Sequence, residues 1–283
     1  MSIKRILLPI NGHDDVGAVA DLAFALAGKV GAEIEILHPH VAYYDAITSV
    51  SEGGSAEQVM RDIQRERDRF ERENVAAEQR YTALSEKYPG ITTTFVEMSG
   101  RTSNIVADRA FSCDLVAIGN ANAFDTAFWR DVYDGALLHS ARPSLIAPSD
   151  PSLEMMDRDN LAKDIVIAWN GSAESARAFS AALPFFATAQ HVRLLTIGDN
   201  PASAASANRM KDFARLHGAQ ASVTVLNVEG QSVADTILQE ARHKPGTLLA
   251  MGAYSHARWR EKIFGGVTEY ILHHTPVPVL MAH

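Results

Sequence analysis

One pattern occurs twice in this chain. KRILLPINGHDDVGAVADLAFALA stands near the start, and KDIVIAWNGSAESARAFSAALPFF begins at Lys163. Each reads as a short apolar strand, an Asn-Gly turn and an amphipathic helix, with Asn11 matching Asn170 and Gly12 matching Gly171. The ends of the two segments repeat as well. CDLVAIGNAN from Cys113 matches GTLLAMGAYS from Gly246, and ARPSLIAPS matches TPVPVLMAH. A repeat of this size predicts two copies of one domain, residues 1–149 and 160–283, joined by the polar linker SDPSLEMMDRDN. The apolar ends PSLIAP and PVPVLMAH read as edge strands, and an exposed apolar edge invites pairing. The expectation is an intramolecular pseudo-dimer, with a homodimer as a further level of assembly.

Strands and helices alternate through both copies. Strands are expected near 4–9, 33–38, 92–97, 114–119 and 143–147, then 164–168, 191–197, 222–228, 247–252 and 277–281. Helices are expected near 14–30, 55–88, 102–111 and 131–140, then 173–187, 203–217, 231–242 and 265–274. Continuous apolar strands such as LVAIG and LLAMG, each followed by a helix, imply a parallel sheet covered on both faces. The fold class is α/β, with two tandem doubly wound domains, each a five-stranded, mainly parallel sheet. The copies differ in the middle: Asn11 to Gly119 spans 108 positions, while Asn170 to Gly252 spans 82. The excess lies mostly in 41–74, where SVSEGGS leads into AEQVMRDIQRERDRFEREN. Opposite charges one turn apart, Asp62 and Glu66 with neighbouring arginines, predict a long solvated surface helix, with a partner-binding arm as the alternative.

Charge and composition exclude several classes. The chain has 283 residues and a net charge of -8, which argues against nucleic-acid binding, since that needs a basic face. Cys113 is the single cysteine, so neither an internal disulfide nor a Cys-rich zinc site can form. Its flanks, FSCDLVAIG, suggest a buried helix-to-strand junction. The first apolar run is too short for a signal peptide, and no segment approaches 18 apolar residues, so a cytoplasmic protein without membrane contact is expected.

Parallel sheets bind ligands outside the carboxyl ends of their strands, where strand order reverses. Three loops of the second copy leave such ends. AWNGSAES supplies Ala168, Trp169, Asn170, Gly171 and Ser172, with Ser172 or Ser175 placed to cap the next helix. TIGDN supplies Ile197. MGAYSHARWREKIFGGVTEY supplies Gly252, Ser255, His256, Arg258, Gly265, Gly266, Val267 and Thr268. Gly265 and Gly266 stand where a helix begins, and free backbone N–H groups there favour anions. Arg258, Arg260 and Lys262 against Glu261 make the loop net positive in an acidic chain, which fits a phosphate ligand.

Over nearly its whole length the chain resembles a tandem universal stress protein. The resemblance is carried by LLPINGHDD, VIAWNGSAE and, most specifically, GAYSHARWREKIFGGVTEYILHHTPVPVLMAH. The nucleotide-binding branch of that family carries a glycine, two residues, a glycine, nine residues, then a glycine with serine or threonine, and holds ATP across the switch point. Here Gly252 matches the first glycine, Ser255 replaces the second, Gly265 matches the third, and Gly266 replaces the hydroxyl residue. Asn170 stands where the family has an aspartate that helps hold the adenosine part. A positive φ at Ser255 would cost roughly 1–2 kcal/mol. The resemblance therefore implies a weak or altered site for ATP or ADP, with a divalent cation, in the second copy. In the first copy Arg130 and Asp131 fall opposite Gly265 and Gly266, and a carboxylate at a helix start would repel phosphate.

The eleven histidines show no HExxH or Cys-His spacing; His38 and His40 share one side of a strand, while His273 and His274 diverge on a helix. No GxSxG elbow, P-loop or CxxC occurs. The expected function is a non-catalytic stress-response protein with a nucleotide or similar anion in its second copy. Two alternatives stand beside it: a ligand-free adaptor working through protein contacts with an unidentified partner, and a slow nucleotide hydrolase with His256 as its base.

Overall fold

The computed structural model describes residues 2–40, 56–120, 127–149, 159–228, 230–253 and 266–283. The first half runs β1 (Arg5–Pro9), α1 (Gly17–Val30), β2 (Glu33–His40), α2 (Ala56–Lys87), β3 (Thr93–Ser99), α3 (Thr102–Ala110), β4 (Leu115–Ile118), α4 (Ala127–Tyr133) and β5 (Ser144–Ile146). α4 continues as a π-helical turn, Asp134–His139. The second half runs β6 (Asp164–Ala168), α5 (Ala173–Phe186), β7 (His191–Ile197), α6 (Pro201–Leu216), β8 (Ala221–Leu226), α7 (Val233–Arg242), β9 (Thr247–Gly252), α8 (Gly266–His274) and β10 (Val279–Ala282). The expected elements are all found, with small shifts at their ends. α6 starts earlier than expected because Asn200 caps it, accepting from Ala202 N at 3.0 Å, with Pro201 at its first position.

The ten strands form one sheet, ordered β3-β2-β1-β4-β5-β10-β9-β6-β7-β8. Each half is parallel, and its order reverses between β1 and β4, or between β6 and β9. The halves meet where β5 and β10 pair antiparallel: Val279 with Ile146, Leu280 with Leu145, Met281 with Ser144. Matching Pro143 to Pro278 in the repeat makes Leu145 and Leu280 equivalent residues, and they face each other across this junction. A pseudo-twofold axis therefore passes between them, as in a two-fold homodimer interface. Further bonds cross the junction. Asn120 Nδ2 donates to Leu272 O at 2.6 Å, and Ser149 donates to Thr275 O through both N and Oγ at 2.8 Å.

The apolar runs of the strands are buried on both faces, as continuous hydrophobic strands require. Cys113 lies buried between α3 and β4, where burial pushes its thiol up to about 11. One charged pair recurs on the same face of both halves. In the first, Glu35 on β2 is 4 % exposed and takes a bidentate bond from Arg109 on α3, at 2.8 and 2.6 Å. In the second, Arg193 on β7 donates to Glu240 on α7 at 2.6 Å. The positions correspond and the charges are exchanged.

α2 is 32 residues long, against 16 for its counterpart α6. Its buried Ala77 and Leu84 share the seven-residue spacing of the buried Ala207 and Ala214 in α6. The extra turns therefore lie at the amino end, beyond the carboxyl edge of the sheet. That part is laced by ion pairs, Arg61–Glu57, Arg65–Asp62, Arg67–Glu71 and Arg69–Glu73. The carboxy-terminal part is a surface helix with one face packed on the sheet: Tyr81 stacks on Phe95, and Leu84 is buried.

Two outcomes test this architecture. Residues 1–149 and 160–283 expressed separately should associate when mixed, read by analytical ultracentrifugation, and Leu280→Asp should abolish that association. Glu35→Arg alone should destabilise the chain by about 3 kcal/mol, since breaking a buried pair strands a charge. Adding Arg109→Glu should restore most of the loss in urea denaturation.

Candidate functional site

In the second half the carboxyl ends of β6 and β9 lie side by side, with Ala168 opposite Met251. Trp169 stays in the sheet for one more residue, its N bonded to Leu195 O at 2.8 Å. Its indole turns onto α6: Nε1 donates to Ser206 Oγ at 2.8 Å, the ring packs edge-on against Phe179, and the residue is 6 % exposed. Of this expected site residue only the backbone remains at the strand end. Asn170 is exposed, and its Oδ1 accepts from Ser172 N at 3.0 Å. Gly171 follows at φ +80°, a value that suits glycine. Ser172 then caps α5, its Oγ accepting from Ser175 N at 3.2 Å. Ile197 ends β7 and is half-buried.

Gly252 ends β9 where α5 packs closely against the strand. A Cβ there would stand 2.6 Å from Glu174 Cβ and 2.7 Å from Ser175 N, so the missing side chain lets the first turn of α5 close on β9. Glu174 thereby comes to the crevice, a residue that sequence reasoning did not single out. Burial pushes its carboxyl up, but its own backbone N–H, the Ser172 hydroxyl, Arg177 and His283 together hold it below the usual carboxylate range. His283, also missed, reaches this rim with Nδ1 3.1 Å from Ala253 O. The signal for Glu174 was its place in the first helical turn after the Asn-Gly turn; His283 gave none. Across the crevice α8 begins with the exposed Gly266, where an added Cβ would meet none of the described residues within 4 Å. Val267 is half-buried and Thr268 buried, so Thr268 packs inward. Ser255, His256, Arg258 and Gly265, with Arg260 and Lys262, lie outside the described residues.

The matching crevice of the first half is filled by the chain itself. Asn11 is buried, its Oδ1 accepting from His13 N and Asp14 N at 3.1 and 2.8 Å. Its Nδ2 donates to Asp14 Oδ2 at 2.7 Å, and Trp129 Nε1 donates to the same oxygen at 2.6 Å. α2 lies over the turn: a Cβ at Gly12 would stand 2.6 Å from Glu73 O. Arg80 donates to Asn11 O at 2.6 Å, His13 pairs with Glu73 at 2.6 Å, and His38 Nε2 lies 3.1 Å from Asn74 Oδ1. Asp131 does not stand at a helix start, because α4 already runs from Ala127; the first half is closed by packing, not by that carboxylate. A separate groove of about 830 Å³, lined by Lys4, Arg5, Glu33 and Asp114 among others, opens at the opposite, amino edge of the first half, away from both crevices. Among the described residues no three His, Cys, Asp or Glu side chains gather as metal ligands, and no helix is long and apolar enough to cross a membrane.

The Usp model, universal stress protein family, matches residues 2–148 and again 162–283. The chain belongs to the universal stress protein family. Among solved structures, a universal stress protein from Archaeoglobus fulgidus DSM 4304 superposes with a TM-score of 0.72 at 17% identity, covering 99% of this chain and 96% of that one. A putative universal stress protein from Pseudomonas aeruginosa UCBPP-PA14 gives 0.58 at 14% identity, covering 99% and 93%. A universal stress protein in complex with cAMP aligns with 52% of this chain and 98% of that one, at 16% identity and a TM-score of 0.29. No match is found among curated proteins. The first two, which cover 99% of this chain, show the tandem α/β fold.

Replacing Gly252 with alanine should destabilise this family member by roughly 1–3 kcal/mol, because α5 must shift off β9. Urea denaturation of the purified variant measures it. An unchanged midpoint would mean that the close approach of Glu174 is not maintained in solution.

Proposed function

We propose that residues 1–149 and 160–283 are two universal stress protein domains that pair within one chain, and that the second alone binds a nucleotide, ATP or ADP with a divalent cation, or a similar anion. The observation that carries this reading is the contrast between the crevices. In the first half α2, Trp129 and Asp14 fill the space beyond the Asn-Gly turn. In the second, the only atoms of the described residues within 4 Å of a Cβ at Gly171 are the hydroxyls of Ser206 and Ser203, at 3.5 and 3.9 Å. Asn170 and the start of α8 are exposed there. The backbone N–H groups opening α8, with Gly266 leaving room for approach, suit phosphate oxygens. On this reading Asn170 and Ile197 serve the nucleoside and Gly252 the phosphates; Ser255, His256, Arg258 and Gly265, outside the described residues, are assigned to the phosphates from the sequence pattern alone. The Glu174 carboxylate beside Gly252 repels an anion and supports weak binding.

The same reading makes the protein a carrier or sensor and not a hydrolase. Among the described residues Glu174 is the carboxylate at the crevice, and a carboxyl held below its usual range is a poor general base at neutral pH; His256 lies outside those residues. A second reading, contact with a protein partner, is favoured by the exposed, charged amino-terminal turns of α2, on which Met60 is 66 % exposed.

Calorimetric titration of the purified chain with ATP or ADP and Mg²⁺ tests the first reading, with weak binding at about one nucleotide per chain at saturation expected. Gly266→Asp places a carboxylate at the helix start and should abolish binding in calorimetry through like-charge repulsion. Unchanged affinity would place the site elsewhere.

A further inference from the structure

The two outer edges of the sheet are finished differently. β3 carries Glu97, and a charge is the usual device that blunts an open edge. β8 carries none: from Gly218 to Val228 no residue is charged and none is proline, in a chain with a net charge of -8. The backbone of β8 has two sides. Gln220 O accepts from Val192 N and Leu226 O from Gly198 N, both at 2.8 Å, so the even-numbered residues face β7. The N–H and C=O of one strand residue point to the same side, and neighbouring residues alternate. The peptide groups of Ala221, Val223 and Val225 therefore point out of the sheet. Arg215 donates to Ala221 O at 3.3 Å, which brings the last turn of α6 to the start of the strand. Among the described residues no strand lies beyond β8, and the outward N–H and C=O groups of Val223 and Val225 make no backbone bond. Around this edge Phe213 and Leu216 of α6, with Val225 and Val228, are exposed, Leu216 to 83 %.

We propose that β8 is a self-association edge: two copies of this chain pair their β8 strands antiparallel about a twofold axis at Thr224. The axis falls there because Val223 and Val225, the residues with free peptide groups, lie on either side of it. Val223 of each copy then stands opposite Val225 of the other. Each such pair exchanges two N–H···O bonds, all from groups that the single chain leaves outward. The antiparallel sense sets the end of one copy that exposes Leu216 beside the end of the other that exposes Val228, so apolar surface meets apolar surface. The occupant is a second copy because an uncharged strand in an acidic chain meets its own like without setting charge against charge. The junction inside the molecule is built the same way: β5 and β10 are also short and uncharged, and they pair antiparallel. Strand edge and exposed side chains together bury on the order of 1,000 Å² over both copies, the small end of specific interfaces, so association is weak and reversible.

Sedimentation equilibrium of the full chain tests it, with a monomer–dimer equilibrium and a dissociation constant of roughly 10–100 µM expected. Val225→Lys puts a charge on the exposed edge and should weaken dimerisation by about tenfold or more, with the urea midpoint little changed. Val225→Pro should do the same by removing an N–H that the single chain does not use. Amide hydrogen exchange of the unaltered chain reads the strand pairing itself. The Val223 and Val225 amides should slow as concentration rises through the dimer range, while the Thr224 amide, which faces β7, should change far less. A monomer at every concentration up to about 1 mM would overturn the proposal. So would species that grow beyond the dimer, a dimer unaffected by Val225→Lys, or Val223 and Val225 amides that do not respond to concentration.

Discussion

The molecule depends on three residue pairs at its centre. β5 and β10 are short, and alone each would leave an apolar edge with unpaired backbone groups. Their antiparallel pairing around Leu145 and Leu280 removes both edges and fuses two five-stranded sheets into one. Covalent linkage makes this pairing intramolecular, so the second half is always present at high effective concentration. The outer edges, β3 and β8, become the only sheet ends among the described strands.

That linkage frees the two halves to diverge. Two identical chains around a true axis would carry identical crevices. Here one half has turned its crevice into core: Trp129 and Asn11 share the Asp14 carboxylate, and α2 comes down on Gly12. The other keeps the turn open, with serines of α6 where the first half has Glu73 and Arg80. Closure pairs the Asn11 side chain and carbonyl and the Asp14 carboxylate within the chain, which favours rigidity over binding.

Much of this was legible in the sequence, because the repeat aligns strands, turns and helices without reference to a structure. The strand periods, the Asn-Gly turns, the Ser172 cap and the pairing of the two apolar ends all follow from local chemistry. What escaped was long-range. Nothing near Trp169 says that its indole will find Ser206, 37 positions away. Nothing in the charged run of α2 says that Glu73 and Arg80 will close over Asn11 and Gly12. Gly252 was read as room for a phosphate, yet its first neighbour is Glu174, because glycine looks the same in sequence whether backbone, helix or ligand approaches it. Asp131 was misplaced because the start of α4 was set too late.

The reversed ion pairs bear on how two such similar halves avoid folding into each other. Tandem copies of one fold risk exchanging elements during folding. If α3 docked on the strands of the second half, Arg109 would meet Arg193; if α7 docked on those of the first, Glu240 would meet Glu35. Each error sets like charges together at a partly buried position where the correct pairing sets opposite ones. The exchange of sign thus acts as a label that tells each helix which sheet is its own, written in two residues per half and independent of any ligand.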